Sequence, residues 1–394
     1  MRALSAATAC AALALVAACS GTTATPSATT TLATPSRSPS DSATSAPASP
    51  SPTCSGIDLA QWSLPQLAAR VLVAPVDVDD LGTAQKLAGL GVGGILVFGG
   101  EVPGDLRAQL AAVQRTADVP VLVMVDEEGG SVQRLEEVVG DLPSARTMAA
   151  TLSPAEIEDL AERVGRDLVA VGVTVDLAPV LDLDDRPGPS STNPDGSRSF
   201  SVDPVTASAA GLAFARGLQD GGIVPVVKHF PGLGYSTGNT DDELASTLPW
   251  PQLQRSGLRP FEDAVDAGIP AVMVANALIP GLTDEPASLS PEVIGGVLRD
   301  RLGFDGVVIT DSLSARGIAD AGYPLPKAAV AALAAGADLV LFGGGGQSDA
   351  PELTAKLRRA IVLAVQAGEL FRERLEDSVA RVLRLGGREA CPRP

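Results

Sequence analysis

The sequence predicts a (β/α)8 TIM-type barrel that follows a signal peptide and a disordered linker rich in Ser, Thr and Pro. From Ile57 onward, eight short apolar runs rich in β-branched residues are bounded by Gly, Pro or Asp, and segments of helical periodicity lie between them. Continuous apolar runs are typical of strands buried on both faces of a parallel sheet, and strands that alternate with helices form such sheets. Eight such units favour a closed barrel over the alternative, a doubly wound open sheet.

The predicted strands are short. They are VLVAPV from Val71, ILVF from Ile95, VLVMV from Val121, VTVDLAPV from Val173, VPVVKHF from Val224, AVMVAN from Ala271, GVVIT from Gly306 and ADLVLF from Ala337. A nucleotide-binding open sheet would carry a glycine-rich turn after its first strand. The similar string here, GLGVGG from Gly89, comes before a strand, so we interpret it as a turn.

The predicted helices begin at recognisable capping residues. Ser153 is the predicted N-cap of a helix that opens with Pro154, and Glu156 completes a capping box. Ser290 begins a second Ser-Pro-Glu opening. Further helices are predicted from Asp105 and Asp203 and near Arg259, Pro326, Pro351 and Phe371.

The first 53 residues are expected to lie outside the folded domain, which we assign to residues 54–394. Residues 1–18 carry Arg2 and then an apolar run too short to span a bilayer, as in a secretory signal peptide. Small residues lead to Cys19 in a pattern that resembles a bacterial lipobox, which implies cleavage before Cys19 and lipidation of its thiol. We expect an exported protein, lipid-anchored to the outer face of the cytoplasmic membrane and touching the membrane only through that lipid; the alternative is an ordinary signal peptide with a chance Cys.

Residues 19–53 are predicted to be a disordered linker. They are almost entirely Ser, Thr, Pro, Ala and Gly, with Arg37 and Asp41 as the only charged residues. Such a segment has too little apolar surface to offset the entropy cost of ordering.

Two cysteines remain for the folded region, Cys54 and Cys391, and they flank it. Export makes a disulfide permissible, and the ends of a domain usually lie close together. We therefore predict a disulfide between Cys54 and Cys391, with two free thiols as the alternative.

The composition excludes several function classes. The chain has 394 residues, with 29 basic and 47 acidic side chains and a net charge of −18. Because phosphate backbones repel so acidic a chain, we expect no nucleic-acid partner. Aromatic residues make up only 3%, which argues against a long sugar-stacking groove. His229 is the single histidine, so a mechanism that needs two histidines in one chain is excluded.

Polar residues follow the predicted strands at their carboxyl ends, where a barrel carries its active site. They are Asp126, Glu127 and Glu128 after the third strand, Asp182 and Asp184 after the fourth, Lys228 and His229 after the fifth, Asn276 after the sixth, and Asp311 and Ser312 after the seventh. A charged side chain that ends a buried run is costly unless it is paired or faces a polar cleft. We therefore expect these groups to share one pocket.

Other chemistries fit the sequence less well. The acidic cluster could hold a hard cation, but one His without a neighbouring Cys excludes a usual zinc site, and we predict neither a metal nor a cofactor. No G-x-S-x-G string accompanies His229, which argues against a Ser–His–Asp triad. The glycines from Gly343 to Gly346 could cradle a phosphate or form a flexible turn, and we favour the turn.

Five strings resemble glycoside hydrolase family 3, and within it the single-barrel bacterial β-N-acetylglucosaminidases. They are VDEEGGSVQRL from Val125, APVLDL from Ala178, RSFSVDP from Arg198, VKHFPGLG from Val227 and LGFDGVVITDSLSARGI from Leu302. They keep the family's order and cover about Ile57 to Leu385. The resemblance implies a (β/α)8 barrel that hydrolyses glycosides, with a carbohydrate containing N-acetylglucosamine as its partner.

The resemblance also implies a role for each matching residue. Asp311 is at the position of the catalytic nucleophile, which forms a covalent glycosyl–enzyme with net retention of configuration. Asp126 matches the carboxylate that accepts hydrogen bonds from sugar hydroxyls. The residues that match the rest of the deepest sugar subsite are Arg134, Arg198, Lys228 and His229.

One departure from the family concerns the general acid/base, which the family supplies as an Asp–His pair on a mobile loop. Here the stretch reads KHFPGLGYSTGNTDDE, with Leu233 in place of the first His and no second His. A carboxylate of the same loop, Asp241, Asp242 or Glu243, would need a raised pKa to serve instead, and we favour Asp241. The alternatives are an enzyme with weak acid assistance, a β-glycosidase of different sugar specificity, and a barrel that binds glycans without hydrolysing them.

Overall fold

A computed structural model describes residues 56–391 of the chain. The predicted signal peptide, the linker, Cys19 and Cys54 lie outside the described residues. Among residues 56–391, no helix is both long and apolar enough to span a membrane.

The described residues form a parallel eight-stranded barrel, as predicted. Its strands are β1 (Leu72–Asp77), β2 (Gly94–Phe98), β3 (Leu122–Val125), β6 (Val175–Asp176), β7 (Val224–Phe230), β8 (Ala271–Val274), β9 (Val307–Thr310) and β10 (Val340–Leu341). Each strand from β1 to β8 pairs in parallel with the next strand in this order, and β10 pairs in parallel with β1. The barrel closes where the Thr310 N–H donates to the Leu339 carbonyl at 3.0 Å, next to a parallel bridge from Ile309 to Leu339.

The alternation of side chains along the strands divides the apolar residues into two cores. In β1, Leu72 and Ala74 pack outward against the helices, whereas Val73 points into the barrel. The barrel interior is filled by one residue or more from each strand region, among them Val73, Leu96, Met124, Val175, Val226, Met273, Ile309 and Leu341. The interior of an eight-stranded barrel is just wide enough for side chains to fill it. The interior is therefore a packed core, and ligands can bind only at the rim.

Thirteen α-helices surround the barrel in the described part of the chain. They are α1 (Leu64–Arg70), α2 (Leu81–Gly89), α3 (Leu106–Thr116), α4 (Glu136–Val139), α5 (Ala145–Thr151), α6 (Pro154–Val171), α7 (Pro204–Asp220), α8 (Trp250–Gln252), α9 (Arg259–Asp266), α10 (Arg316–Asp320), α11 (Leu325–Ala335), α12 (Ala350–Ala367) and α13 (Arg372–Leu385). Short 3-10 turns cover Leu59–Gln61, Gly196–Arg198 and Ala287–Leu289, and π-helical segments cover Leu253–Gly257 and Glu292–Arg301. The predicted capping box is present, with Ser153 Oγ accepting from the Glu156 N–H at 3.3 Å.

Two features of the fold were not predicted. An antiparallel hairpin, β4 (Glu127–Gly129) and β5 (Val132–Gln133), follows β3 directly. The strand β6 is limited to Val175–Asp176, although the apolar run continues to Val180. Beyond β6 the chain stays beside β7 through a parallel bridge between Val180 and Lys228 and through the Val226 N–H, which donates to the Ala178 carbonyl at 3.1 Å.

The two ends of the folded region meet beside α1. The Ile57 N–H donates to the Glu389 carbonyl at 2.9 Å, and the Cys391 N–H donates to the Ile57 carbonyl at 2.8 Å. Cys391 is disulfide-bonded. Pairing with Cys54 stays a prediction, because Cys54 lies outside the described residues.

Candidate active site

A cavity of about 550 Å³ opens at the carboxyl ends of the strands. Its volume lies within the range of small-ligand pockets. The polar side chains that line it are Asp126, Glu128, Arg134, Arg198, Lys228, His229, Asn239, Thr240, Asp241, Asp311, Ser312, Ser314 and Gln347. All seven residues assigned to catalysis or sugar binding from the sequence therefore lie on one cavity.

The hairpin β4–β5 sets the directions of three consecutive acids, two of which face the cavity. Asp126 and Glu128 are two residues apart in extended backbone and both line it. Glu127 points the other way, and its Oε2 accepts the N–H groups of Arg134 and Leu135 at 2.9 Å each. Glu127 thereby fixes the hairpin that carries Arg134 to the cavity wall.

Two buried cations and two acids form a charge-balanced cluster, which we call the clamp and define as Asp126, Glu128, Arg198 and Lys228. Lys228 Nζ lies 2.5 Å from Asp126 Oδ1 and 2.6 Å from Glu128 Oε1. Arg198 donates two hydrogen bonds to Glu128, from Nε to Oε2 at 2.7 Å and from Nη2 to Oε1 at 2.8 Å. This geometry gives both specificity and strong charge-assisted hydrogen bonds.

The clamp keeps its members ionised. Burial alone would raise the pKa of Glu128, but Arg198 and Lys228 hold it far below its usual range. Burial would likewise lower the pKa of Lys228, yet Asp126 and Glu128 raise it above its usual value. A fixed arrangement of donors and acceptors therefore faces the cavity before any ligand arrives.

Glu128→Gln should destabilise the protein by about 3–5 kcal/mol, because it leaves Arg198 and Lys228 buried without their shared counter-charge. Urea-induced unfolding of the two proteins would measure the loss. Because the pKa of Glu128 is lowered on folding, the difference should be complete at pH values above the ordinary Glu pKa and should shrink as the pH falls below it.

Glu158→Gln is a matched control for that substitution. Glu158 pairs with Arg216 at 2.9 Å on the surface, where such pairs contribute about 1 kcal/mol or less. Equal losses in the two variants would contradict a buried clamp.

His229 closes the floor of the cavity and contacts a buried acid below it. Its Nδ1 lies 2.6 Å from Asp182 Oδ2, and the other oxygen of Asp182 accepts the Leu233 N–H at 2.6 Å. Burial and the charge of Arg198 lower the pKa of His229 to about 4, whereas burial raises the pKa of Asp182 to about 7. His229 is therefore neutral at neutral pH.

Asp311 follows β9 and is held by its backbone. Its N–H donates to the Val274 carbonyl at 3.0 Å, and its Oδ1 accepts the Ser312 N–H at 2.7 Å. Burial raises the pKa of Asp311 above its usual value, and the negative charge of Asp241 adds to that rise. His229, Lys228 and the Ser312 N–H favour the ionised form and oppose it.

The loop after β7 folds over the rim and brings one of its three acids to the cavity. Asp241 lines the cavity, whereas Asp242 and Glu243 do not. Asp241 is open to solvent through the cavity mouth, but partial burial, and then the charge of Asp242, raise its pKa. Of the three acids considered from the sequence, Asp241 is the one that shares a space with Asp311.

The loop is anchored to α10. The N–H groups of Arg316 and Gly317 donate to the carbonyls of Asp241, at 3.2 Å, and of Thr240, at 2.9 Å. Gly317 permits this approach, because a Cβ there would lie 2.7 Å from the Glu243 carbonyl oxygen and 3.0 Å from that of Thr240.

Four of the strand-end residues do not reach the cavity, so the expectation that they share the pocket is wrong for them. Glu127 and Asp182 serve neighbouring backbone, as described above. Asp184 is paired with Arg186 at 2.6 Å. Asn276 accepts from Ser288 Oγ and donates to the Ser312 carbonyl, each at 2.7 Å, and so supports the segment that carries Asp311.

Two residues close to the site were given no role from the sequence. Glu128 was expected in the pocket and lies at the centre of the clamp, and its position two residues after Asp126 in extended backbone was the available signal for its role. Asp195 is fully buried below His229, in an irregular segment without periodicity that could have indicated its position. The glycines Gly343, Gly344 and Gly345 line the cavity as part of a turn.

A barrel rim with an acid directly after β9, and with a second acid on a loop and the clamp lining the same cavity, is the arrangement of a glycoside hydrolase. The sequence profile of the glycosyl hydrolase family 3 N-terminal domain matches residues 67–385. The chain belongs to this family and is an O-glycosyl hydrolase.

Individual relatives agree. The beta-hexosaminidase LpqI of Mycobacterium tuberculosis is 36% identical over 328 residues, which cover 81% of this chain and 81% of the relative. A crystal structure of a GH3 glycosyl hydrolase from Mycobacterium smegmatis has a TM-score of 0.75 at 34% identity, covering 83% of this chain and 98% of that one. A beta-N-acetylhexosaminidase structure from Beutenbergia cavernae has a TM-score of 0.75 at 31% identity, covering 83% and 99%.

Proposed function

We propose that the protein is a retaining glycosidase that removes terminal β-linked N-acetylhexosamine. The observation that carries the proposal is that Asp311 and Asp241 line one cavity together with all four residues of the clamp. The names of the relatives, beta-hexosaminidase and beta-N-acetylhexosaminidase, support the sugar class. A cavity of about 550 Å³ suits the end of a glycan and does not suit a long chain.

In the proposed first step, an ionised Asp311 attacks the anomeric carbon while Asp241 donates its proton to the departing glycosidic oxygen. The C–O bond to the aglycone breaks as an ester bond to Asp311 forms. Asp241, now ionised, takes a proton from water, and the resulting hydroxide displaces Asp311 from the anomeric carbon. Two inversions give net retention, and both carboxyl groups return to their starting states.

The proposed role of the clamp is to bind and orient the sugar. Asp126 presents a carboxylate to sugar hydroxyls, and Lys228 and Arg198 donate hydrogen bonds while holding the acids in place. Arg134 and His229 line the same wall. Groups fixed in advance in this way act without reorganising during the reaction.

The test of the proposed function uses the purified chain with aryl N-acetyl-β-glucosaminide, aryl N-acetyl-β-galactosaminide and aryl β-glucoside. Turnover of an N-acetylated glycoside with a product of the same anomeric configuration supports the proposal. Turnover of the glucoside alone would replace it with a β-glucosidase. Sugar binding without turnover of any of the three would favour the glycan-binding barrel.

We further propose that the barrel is anchored through Cys19 to the outer face of the cytoplasmic membrane and acts on cell-wall fragments. The support is the N-terminal sequence pattern and the Ser-, Thr- and Pro-rich segment that follows it. Mass spectrometry of the mature protein from its own host should find a lipid on the thiol of Cys19. A mature N-terminus at another residue, or an unmodified Cys19, would contradict the anchor.

The pH profile of kcat/KM should report the two acids. The nucleophile must be ionised and the acid protonated, so activity is lost below the pKa of Asp311 and above that of Asp241, and both values are raised. Asp242→Asn removes the neighbouring charge that raises the pKa of Asp241, so the alkaline limb should move to lower pH while the acid limb stays in place. Glu243→Gln, on the same loop but away from the cavity, should leave both limbs unchanged; a shift of equal size there would contradict the assignment.

A further inference from the structure

Below the cavity floor, three buried side chains converge on one point. Asp182, Asp195 and His229 each offer one ligand atom, and these atoms all lie within 4.8 Å of one another. The exposed fractions of the three residues are 0%, 0% and 5%. None of this geometry is needed for the clamp or for the two acids above it.

Asp195 is the unexplained member of this group. Neither of its carboxylate oxygens has a hydrogen-bond partner, although both are buried. A buried carboxylate without a partner is costly, and buried acids are as a rule paired, hydrogen-bonded or bound to a metal. The side chain of Arg198 directs its donors to Glu128 and to the Pro194 carbonyl and gives none to the carboxylate of Asp195.

Among the residues that the structure describes, the charged side chains nearby also leave Asp182 and Asp195 without a cationic partner apart from His229. The clamp contains two acids and two cations, so it is neutral within itself. Asp182 receives backbone N–H groups from His229 and Leu233 but no cationic side chain other than His229 itself. No cationic side chain therefore pairs with either carboxyl group apart from His229 in the described part of the chain, and a divalent ion would bind there in place of protons on these groups.

We propose that Asp182, Asp195 and His229 form a site for a divalent transition-metal ion, with Zn²⁺ as its representative. Metal–ligand bonds of about 2.0–2.2 Å place three ligand atoms around one ion roughly 3.4–3.6 Å apart. The three ligand atoms, which lie within 4.8 Å of one another, therefore need a closure of up to roughly 1.4 Å to bind one ion together. One imidazole and two carboxylates suit Zn²⁺, whereas Mg²⁺ and Ca²⁺ require six or more oxygen ligands. The prediction of no metal rested on the single His without a neighbouring Cys, and it did not consider Asp195 as a ligand.

The ion would displace the proton held between Asp182 and Nδ1 of His229, which lie 2.6 Å apart, and would bind the lone pair of Nδ1. Nε2 would then carry the remaining hydrogen and stay available to the cavity. The ion is structural in this arrangement, because it holds the ring of His229 and takes no part in the proton transfers assigned to Asp241. The proposal of a metal site can therefore be tested independently of the hydrolytic activity.

The test is binding of Zn²⁺ alone to the purified chain after dialysis against a chelator. Equilibrium dialysis should find about one tight equivalent, and Zn²⁺ should raise the melting temperature where Mg²⁺ and Ca²⁺ at the same concentration do not. Asp195→Asn keeps the shape of the side chain and removes a ligand, so the Zn²⁺ affinity should fall by roughly 100-fold or more. Asp185→Asn, an exposed acid ten residues earlier, should bind Zn²⁺ as the unmodified protein does.

A crystal of the unmodified protein grown with Zn²⁺ locates the ion without any variant. An anomalous peak between Asp182, Asp195 and His229 supports the proposal. A peak only at Asp241, Asp311 or surface acids would overturn it, as would an affinity that Asp195→Asn leaves unchanged or a chain that binds no Zn²⁺.

Discussion

Asp311→Asn should lower the turnover of aryl N-acetyl-β-glucosaminide by roughly 10⁴-fold or more, because the amide cannot form the covalent intermediate. The substitution keeps the size of the side chain and the hydrogen bond from the Ser312 N–H. Sugar binding by the clamp should therefore persist, and calorimetry with N-acetylglucosamine would separate lost chemistry from lost binding. Initial rates with the aryl glycoside provide the measurement.

Asp320→Asn is the matched control. Asp320 lies on α10, pairs with Arg316 at 3.4 Å on the surface and does not line the cavity. Its substitution should leave the rate within about twofold, since surface substitutions of this kind change little. If Asp311→Asn kept a tenth or more of the activity, another residue would have to be the nucleophile.

Asp241→Asn should show a dependence on the leaving group. Glycosides with poor leaving groups need a proton at the departing oxygen, so their kcat/KM should fall by about 10²–10⁴-fold. An aryl glycoside with a good leaving group needs little protonation and should lose far less in the first step. The same rates measured across a series of aryl glycosides of graded leaving-group pKa would show a steeper dependence in the variant.

Azide gives a second, independent readout for Asp241. Azide is already an anion and needs no general base, so it should react with the glycosyl–enzyme of Asp241→Asn, restore turnover and yield a glycosyl azide of retained configuration. The unmodified enzyme should gain nothing from azide. If Asp242→Asn or Glu243→Gln showed this behaviour and Asp241→Asn did not, the proton donor would be misassigned.

The positions of the main elements followed from the sequence, because each depends on local chemistry. Apolar runs bounded by Gly or Pro gave the eight barrel strands, and Ser153 with Glu156 gave the start of α6. Polar residues that follow the third, fifth and seventh runs line the cavity, and Asp311, Lys228 and His229 meet there as expected.

The remainder of the site depends on contacts between distant segments. Asp126, Glu127 and Glu128 look alike in sequence, and only the hairpin β4–β5 turns Glu127 away from the cavity. Asp182 ends an apolar run as Asp311 does, but the backbone of Leu233 and His229 takes up its carboxylate below the floor. For Asp182 the partners are 47 and 51 residues away along the chain, a relation that no local pattern encodes.

The attachment of the Thr240–Asp241 segment to Arg316 and Gly317 bears on how substrates are told apart. Enzymes that carry their proton donor on a lid use the binding energy of the correct ligand to drive closure, and so discriminate by induced fit. In this chain, two backbone hydrogen bonds attach the segment of Asp241, the proposed proton donor, to α10. We therefore expect the enzyme to select among sugars as they enter the cavity, through their fit to it. We also expect that no loop has to open before the product leaves.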